Sequence, residues 1–203
     1  MKTDLTNQGY RVYEYLLALN PHEELRNKIM EIRRDFFKVY KTSSSPFGKP
    51  HIILANFKQY ELFESRIVNQ LTTIAMGTKP VKIELKDYGS FPAHTIFISI
   101  TSKLPIQGLV KKVRADTQKL MKLNAANKPY FNSEPHITIA RTLLPWQYEK
   151  GWLEYSHRQF TGRFIADYFI LLKRPVGEIK YQIVGRFDFQ NLPVSIKQGD
   201  LFS

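Results

Sequence analysis

Pro135-His136-Ile137-Thr138-Ile139-Ala140-Arg141 is the segment of sequence around which the rest of this chain can be interpreted. The segment is rich in β-branched residues and begins at a proline, so it is predicted to form a strand. Because successive side chains of a strand face opposite sides, His136 and Thr138 share one face while Ile137 and Ile139 share the other. The strand therefore presents an imidazole and a hydroxyl on one face and an apolar surface to the core on the other.

An earlier segment, Pro50-His51-Ile52-Ile53-Leu54, repeats this pattern with one change. Ile53 stands where the second segment has its hydroxyl. The two histidines are 136 − 51 = 85 residues apart, so each half of the chain carries one strand that begins with Pro-His. We call these two segments the first and second histidine strands.

The composition is that of a globular protein without cysteine chemistry. The chain has 203 residues, of which 43% are apolar and 24% charged, enough for one large domain or two closely packed lobes. No apolar run is long enough to cross a bilayer, and the first residues lack the pattern of a signal peptide. The absence of cysteine excludes disulfides, thiolate metal sites and thiol nucleophiles. A cytoplasmic protein that does not bind membranes is expected.

The charge balance is strongly basic. Thirty Lys and Arg against 18 Asp and Glu give a net charge of +12 and a pI near 9.8. Such a field favours polyanionic partners, with nucleic acid as the leading candidate. The alternative is a basic, soluble surface without a specific partner. Because the charges are scattered along the chain, they mark no separate basic tail.

Hydrophobic periodicity predicts an α+β fold with mainly antiparallel sheets. The predicted strands are 10–19, 50–57, 81–85, 94–100, 135–141, 163–172 and 181–189. The predicted helices begin at Pro21, near 59, at Pro105 and at Pro145, and end near 40, 76, 122 and 157. Turn formers at 42–48 and 89–92 and polar residues at 124–129 predict loops. No pattern is visible from Asn191 onward, so residues 191–203 are predicted to be a tail.

Two histidines on facing strands can divide the work of acid-base catalysis. One imidazole takes a proton from the attacking group while the other protonates the departing oxygen. The Thr138 hydroxyl can donate to a phosphoryl oxygen, and Arg141 can add a charge-assisted bond. Neither histidine has a carboxylate at ligand spacing, so no metal site and no cofactor are predicted.

These two motifs resemble those of the two-histidine phosphoesterase superfamily, and most closely the bacterial 2′-5′ RNA ligase and RNA 2′,3′-cyclic phosphodiesterase family. The resemblance covers about residues 10–190, and the second histidine strand matches in full. It implies one bilobal domain over residues 1–203, with a core at about 10–190 and two sheets related by a pseudo-two-fold axis around a central cleft. It also implies hydrolysis of cyclic phosphates without a metal, or the reverse joining of RNA ends.

In the first histidine strand the match is incomplete, because the family has Ser or Thr where this chain has Ile53. The family's catalytic roles carry over to His51, His136 and Thr138. Losing one hydrogen bond to a charged group costs about 1.5–3 kcal/mol, which weakens a catalyst without abolishing it. Lys49, Asn56 or a backbone N–H is predicted to supply the missing donor.

Four residues around the two strands are predicted to bind substrate. Lys49 and Arg141 are the candidates for phosphate, and the aromatic rings of Phe57 and Tyr130 flank the histidine strands and are candidates for stacking on a base. For most aromatic residues, the alternative to stacking on a base is packing in the hydrophobic core. His22, His94 and His157 are predicted to have no catalytic role.

The leading hypothesis is therefore a monomeric phosphoesterase that acts on a 2′,3′-cyclic phosphate or a 2′-5′-linked end of RNA or a small nucleotide. A second hypothesis is a binding module that keeps the cleft but has lost efficient turnover, with Ile53 as its main support. The third is a basic scaffold protein without a phosphate site. The sequence decides neither the physiological substrate nor the direction of the reaction.

Overall fold

Two antiparallel sheets form the framework on which the histidine strands lie. The computed structural model describes residues 10–42 and 48–193. Nine strands and four α-helices occur in these ranges, with a short 3₁₀ helix at Glu61–Phe63. In chain order they are β1 (Val12–Leu19), α1 (Glu23–Tyr40), β2 (Ile52–Tyr60), α2 (Glu64–Met76), β3 (Val81–Phe91), β4 (Thr95–Ile100), α3 (Lys103–Met121), β5 (Tyr130–Phe131), β6 (His136–Arg141), α4 (Pro145–Tyr155), β7 (Thr161–Ala166), β8 (Tyr168–Pro175) and β9 (Gln182–Asp188).

The strand order separates the two histidine strands into different sheets. One sheet has the order β5-β2-β1-β8-β9 and the other has the order β6-β4-β3-β7. Every pairing between neighbouring strands is antiparallel. The predicted α+β class with antiparallel sheets is confirmed. His51 lies just before β2 in one sheet, and His136 is the first residue of β6 in the other.

Apolar faces of the helices and sheets bury a continuous core. On α1 the residues Leu25, Ile29, Phe36 and Tyr40 are buried, as the three- and four-residue spacing predicts. The inner residues of β1, β2, β4 and β6 belong to the same apolar cluster. Burying each such Leu, Ile or Phe side chain contributes about 1.5–3 kcal/mol, so the core fixes the strands that carry the site.

The predicted strand 163–172 is wrong, because the chain changes sheets within it. β7 ends at Ala166 and pairs with β3, whereas β8 begins at Tyr168 and pairs with β1. Only Asp167 separates them, and its carbonyl accepts a hydrogen bond from the Phe189 N–H at 2.7 Å. A single apolar segment without Gly or Pro therefore contributes one strand to each of the two sheets.

Other predicted boundaries also need correction. The sequence predicts a turn at 89–92, but residues 89–91 continue β3, and the turn lies at residues 92–94. The segment predicted to begin a helix near 59 still belongs to β2, and α2 begins at Glu64. The short strand β5 has no counterpart among the predicted strands. Residues 43–47 of the predicted loop at 42–48 and residues 194–203 of the predicted tail lie outside the described residues. At the start of the tail, the N–H groups of Asn191 and Leu192 donate to the carbonyls of Thr78 and Met76.

A β-bulge occurs at the same place in both histidine strands. In β2, Ala18 pairs with Ile53 and Leu17 with Ala55, so Leu54 is the extra residue. In β6, Phe97 pairs with Thr138 and Ile96 with Ala140, so Ile139 is the extra residue. Each bulge lies three residues after its histidine and reverses the inward and outward alternation beyond it.

Candidate active site

The two histidines have the same local geometry. The Nδ1 of His51 lies 2.8 Å from the carbonyl oxygen of Lys49, and the Nδ1 of His136 lies 2.6 Å from the carbonyl oxygen of Glu134. A carbonyl only accepts hydrogen bonds, so each Nδ1 carries its hydrogen and donates it. In the neutral ring, Nε2 then holds a free lone pair that can accept a proton.

One cavity of about 160 Å³ brings both histidines together. Its walls come from the loop before β2, from β2 and β6, from α1 and from the residue just after β5. They comprise Arg33, Gly48, Lys49, His51, Ile53, Asn132, His136, Thr138, Ile139, Ala140 and Arg141. The structure therefore places Lys49, Thr138 and Arg141, three of the residues singled out in the sequence, around the same space.

The bulge in β6 explains how Arg141 reaches this cavity. Regular alternation from His136 would place Arg141 on the opposite face of the strand. The extra residue at Ile139 reverses the alternation, and Arg141 lines the cavity. In β2, the bulge at Leu54 acts in the same way on Asn56, which lines the neighbouring cavity.

Arg33 is the main residue of the cavity that the sequence analysis missed. Its Nε and Nη2 donate to the carbonyl oxygen of Thr138 at 2.8 and 2.5 Å, and its Nη1 donates to that of Gly48 at 2.7 Å. These bonds use three of the five guanidinium N–H groups, which leaves two for a ligand. Burial and the nearby Arg141 lower the pKa of Arg33 to about 10, so the group remains charged at neutral pH.

The environment of His51 strongly favours the neutral ring. Burial lowers the pKa of His51 to about 4, the bond to the Lys49 carbonyl opposes this, and the positive charges of Arg33 and Arg141 lower the pKa further. Burial and the two guanidinium charges all oppose protonation, so the neutral form of the His51 ring is favoured at pH 7.

The surroundings of His136 are aromatic and carry less positive charge than those of His51. The rings of Phe91 and Phe97 lie with their centroids 5.1 and 4.8 Å from that of His136. Burial lowers the pKa of His136, while the Glu134 carbonyl bond and the Glu134 charge raise it and Lys103 lowers it. The absence of a side chain at Gly89 makes room for this wall, because a Cβ there would lie 2.4 Å from the Phe97 ring.

Ile53 and Thr138 occupy matching positions beside the two histidines. Both are half-buried and both line the cavity. The buried Asn132 lies next to Ile53, where its Nδ2 donates to the Ile53 carbonyl oxygen at 3.0 Å and its backbone N–H donates to the Leu54 carbonyl oxygen. One amide hydrogen of Asn132 remains, so this side chain is a second donor group that the sequence analysis missed.

A larger cavity of about 410 Å³ adjoins the first and shares His51, Ile53 and Arg141 with it. Phe57, a candidate for stacking on a base, lines this second cavity but is only 5% exposed. Its ring stacks on that of Tyr15 at 5.0 Å, so one face is already covered.

Tyr130, the other stacking candidate, lines neither of these cavities. It is 53% exposed and lines a third cavity, together with residues of α3 and of the loop before β5. Its hydroxyl donates to Asn132 Oδ1 at 3.3 Å, which links it to the wall of the first cavity.

The remaining three histidines lie outside the first two cavities. His22 precedes α1, the Nδ1 of His94 bonds to the Thr95 hydroxyl at 2.6 Å, and the Nδ1 of His157 donates to the Leu153 carbonyl oxygen at 2.8 Å. In the described ranges, 10–42 and 48–193, no three acidic or histidine side chains gather as metal ligands would. None of the described helices combines the length and apolar character needed for a bilayer crossing.

The two sheets and the paired histidine strands define a fold of the two-histidine phosphoesterase type. The model of the 2′-5′ RNA ligase superfamily matches residues 21–178, and the chain belongs to this family. A comparison with curated protein sequences gives no match.

Solved structures share the fold at low sequence identity. The TT0787 protein of Thermus thermophilus has a TM-score of 0.61 and 18% identity, over 87% of this chain and 98% of its own. The LigT protein of E. coli, solved with 3′-AMP, has a TM-score of 0.64 and 15% identity, over 88% of this chain and 98% of its own. LigT has also been solved with phosphate, in a structure with a TM-score of 0.59, 15% identity and the same coverage of both chains.

Proposed function

We propose that this protein is a metal-independent phosphoesterase that acts on 2′,3′-cyclic phosphates or 2′-5′-linked ends of RNA or small nucleotides. The observation that carries the proposal is the cavity in which His51 and His136 lie together with two arginines. Membership in the 2′-5′ RNA ligase superfamily supports a phosphoesterase-like activity. The LigT structures with 3′-AMP and with phosphate make a nucleotide phosphate a reasonable occupant of this cavity.

The bound anion is proposed to lie between the two histidines. Arg33 offers two free N–H groups, Arg141 and Lys49 offer further positive charge, and Thr138 offers a hydroxyl on the His136 side. On the His51 side Ile53 offers nothing, and we propose that the remaining amide hydrogen of Asn132 donates there. Such donors stabilise the charge that develops on the phosphoryl oxygens in the transition state.

Hydrolysis of a cyclic phosphate needs one base and one acid. A water molecule attacks phosphorus, the base accepts the proton that the water loses, and the P–O bond to one ribose oxygen breaks. The acid gives its proton to that oxygen, which leaves a ribose hydroxyl and a phosphomonoester. The Nε2 atoms of the two histidines suit these roles because both Nδ1 atoms are held by carbonyls.

The surrounding charges favour one division of the roles. Arg33 and Arg141 oppose protonation of His51, whereas at His136 the Glu134 charge favours protonation and the Lys103 charge opposes it. We therefore assign the base to His51 and the acid to His136 in the direction of hydrolysis.

A substrate whose leaving group needs no proton tests this assignment. In a cyclic phosphorothiolate, sulfur replaces the departing ribose oxygen and leaves as a thiolate, because a thiol is far more acidic than an alcohol. We expect the loss of rate caused by His136→Ala to be at least about tenfold smaller on this substrate than on the oxygen ester. His51→Ala should show no such recovery, and recovery in His51→Ala alone would reverse the two roles.

The second candidate function is nucleotide or RNA binding with weakened catalysis, which Ile53 favours. Ile53→Thr supplies a hydroxyl at nearly constant shape, at a half-buried position that lines the cavity. We expect hydrolysis of a 2′,3′-cyclic nucleotide to rise about tenfold, the lower end of one hydrogen bond to a charged group. If phosphate affinity rises about tenfold without turnover, the protein is a binding module.

A matched control for this substitution is Ile165→Thr, which makes the same exchange at an exposed position of β7. It should change neither turnover nor binding. If Ile53→Thr instead lowers the free energy of unfolding by more than about 2 kcal/mol with no gain in binding, Ile53 acts as a core residue.

We also propose that residues 10–190 fold as one bilobal domain. Buried residues of both sheets belong to one continuous apolar cluster, which supports this proposal. A single cooperative transition in thermal unfolding, followed by a probe in each sheet, is the expected result.

A further inference from the structure

A groove outside the two cleft cavities is lined by cations and one exposed aromatic ring. It has a volume of about 420 Å³ and lies between the C-terminal half of α3 and the short strand β5. Its lining residues are Arg114, Gln118, Lys119, Lys122, Lys128, Pro129, Tyr130 and Phe131. No acidic residue is among them, and we refer to this site as the α3 groove.

The cations of the α3 groove are available to a ligand. Arg114, Lys119, Lys122 and Lys128 are exposed and form no ion pair with any residue that the structure describes. The helix itself is basic, with five Lys or Arg against the single acidic residue Asp116. This unneutralised charge favours an extended polyanion.

Tyr130 gives the groove a surface on which a base can stack. The strand β5 pairs with β2 through Asn56 and Tyr130, and the Tyr130 hydroxyl donates to the buried Asn132. The ring is thus held at its backbone and at its hydroxyl, while 53% of the residue stays exposed. A fixed ring beside a row of cations is the arrangement that binds single-stranded nucleic acid.

The α3 groove adjoins the second cavity at Lys128. Lys128 lines both the groove and the second cavity, and the second cavity shares His51, Ile53 and Arg141 with the first. Arg174 and Lys58 also line the second cavity, although Glu14 pairs with both. A chain whose phosphate end lies at the histidines would pass through the second cavity and across Lys128 to reach Tyr130.

We propose that the α3 groove binds the single-stranded flank of an RNA whose end lies between His51 and His136. This inference rests on the proposed function only for the position of the RNA end. Binding in the groove itself does not depend on catalysis. The exposed aromatic ring favours RNA over an acidic protein segment. Cations alone are enough to bind carboxylates, whereas the bases of an RNA can also stack on Tyr130.

Binding of an unreactive RNA tests the groove independently of catalysis. The probe is a fluorescent single-stranded RNA of about 10 nucleotides with a plain 3′-hydroxyl, measured by anisotropy at several salt concentrations. Arg114→Ala/Lys122→Ala should weaken binding about tenfold, within the range for two exposed ion pairs. The slope of log K against log salt should become shallower by about 1.4, since each phosphate contact on a single strand contributes about 0.7.

The matched control removes the same two charges elsewhere. Arg163→Ala/Lys150→Ala removes an exposed Arg from β7 and an exposed Lys from α4. Neither residue lines any of the three cavities. Its salt slope should equal that of the unchanged protein. Equal losses in the two double variants would show a general effect of net charge and would overturn the proposal.

Substitutions at Tyr130 test the stacking contact. Tyr130→Ala should weaken binding of the RNA by at least about fivefold, whereas Tyr130→Phe keeps the ring and should restore most of the affinity. An acidic peptide of equal charge serves as the competitor. If the peptide or a double-stranded RNA binds as tightly and with the same sensitivity to Tyr130→Ala, the groove is not a site for single-stranded RNA.

Turnover provides a second comparison when the protein proves active. On an RNA that ends in a 2′,3′-cyclic phosphate, Arg114→Ala/Lys122→Ala should lower kcat/KM about tenfold more than on a cyclic mononucleotide. Equal effects on both substrates would overturn the proposal. A protein that binds the probe through Tyr130 but hydrolyses neither substrate would contradict the proposed function while leaving the groove intact.

Discussion

Replacing either histidine of the cavity by alanine is expected to lower hydrolysis of a 2′,3′-cyclic nucleotide by about 10²- to 10⁴-fold, the usual contribution of one acid-base group. The expectation follows from the equivalent positions of His51 and His136, which line one cavity and donate from Nδ1 to a carbonyl. The measurement is kcat/KM for each variant with a cyclic mononucleotide. The double variant should lose little more than the worse single variant if the two act as a unit.

His157→Ala is the matched control, because His157 also donates from Nδ1 to a carbonyl but lies just after α4, outside the three cavities. It should leave kcat/KM unchanged. Activity should also survive EDTA, since the proposed acid and base are both side chains. Full activity in the His51→Ala/His136→Ala variant, or loss of activity on removal of divalent ions, contradicts the proposed site.

The pH dependence of kcat/KM gives a further check on the same two residues. The base works only when neutral, and the pKa of His51 near 4 keeps it neutral down to about that pH. The acid works only when protonated, and burial holds the pKa of His136 below its ordinary value of 6.5. Activity should therefore rise as pH increases past about 4, fall again before about 6.5, and have its optimum between these values. An optimum at alkaline pH would contradict this assignment.

The histidine strands show what strand patterning can and cannot predict. Simple alternation predicts that His136 shares a face with Thr138, and His51 with Ile53, which agrees with the cavity lining. It does not predict the position of Arg141, because the bulge at Ile139 reverses the alternation. A bulge depends on pairing with a neighbouring strand, which no local pattern within β6 reveals.

The fold class could be predicted because helices and strands of this chain have clear periodicity, but a change of sheet leaves no such signal. The run from Arg163 to Leu172 contains no Gly or Pro, so its sequence predicts a single strand. The chain nevertheless leaves one sheet at Ala166 and enters the other at Tyr168. Tertiary pairing overrides the local preference in this segment.

Arg33 was missed for a different reason, since its signal was present in the sequence. It lies four residues after Ile29 and three before Phe36, on the face of α1 that is otherwise buried. A cation on an apolar helical face needs partners, and here these are two carbonyl oxygens and the space between the histidines. Charged residues at such positions mark candidate sites that motif searches overlook.

Arg33→Met is expected to lower kcat/KM for a cyclic nucleotide by about 10- to 150-fold, the loss of one hydrogen bond between charged groups. Methionine is unbranched like arginine and fills similar space, but it cannot donate to the phosphate. The carbonyls of Thr138 and Gly48 also lose their donor, so the free energy of unfolding should fall as well.

The pKa of His51 separates a role in the site from a role in stability alone. Arg33 lowers that pKa by its charge, so Arg33→Met should raise it while burial keeps it below 6.5. Arg34→Met is the matched control, because Arg34 is the exposed neighbour on α1 and lines none of the cavities. Titration of the His51 ring by NMR, together with phosphate affinity, decides between the two roles. If Arg33→Met destabilises the fold but changes neither the pKa of His51 nor the affinity, Arg33 only ties α1 to β6.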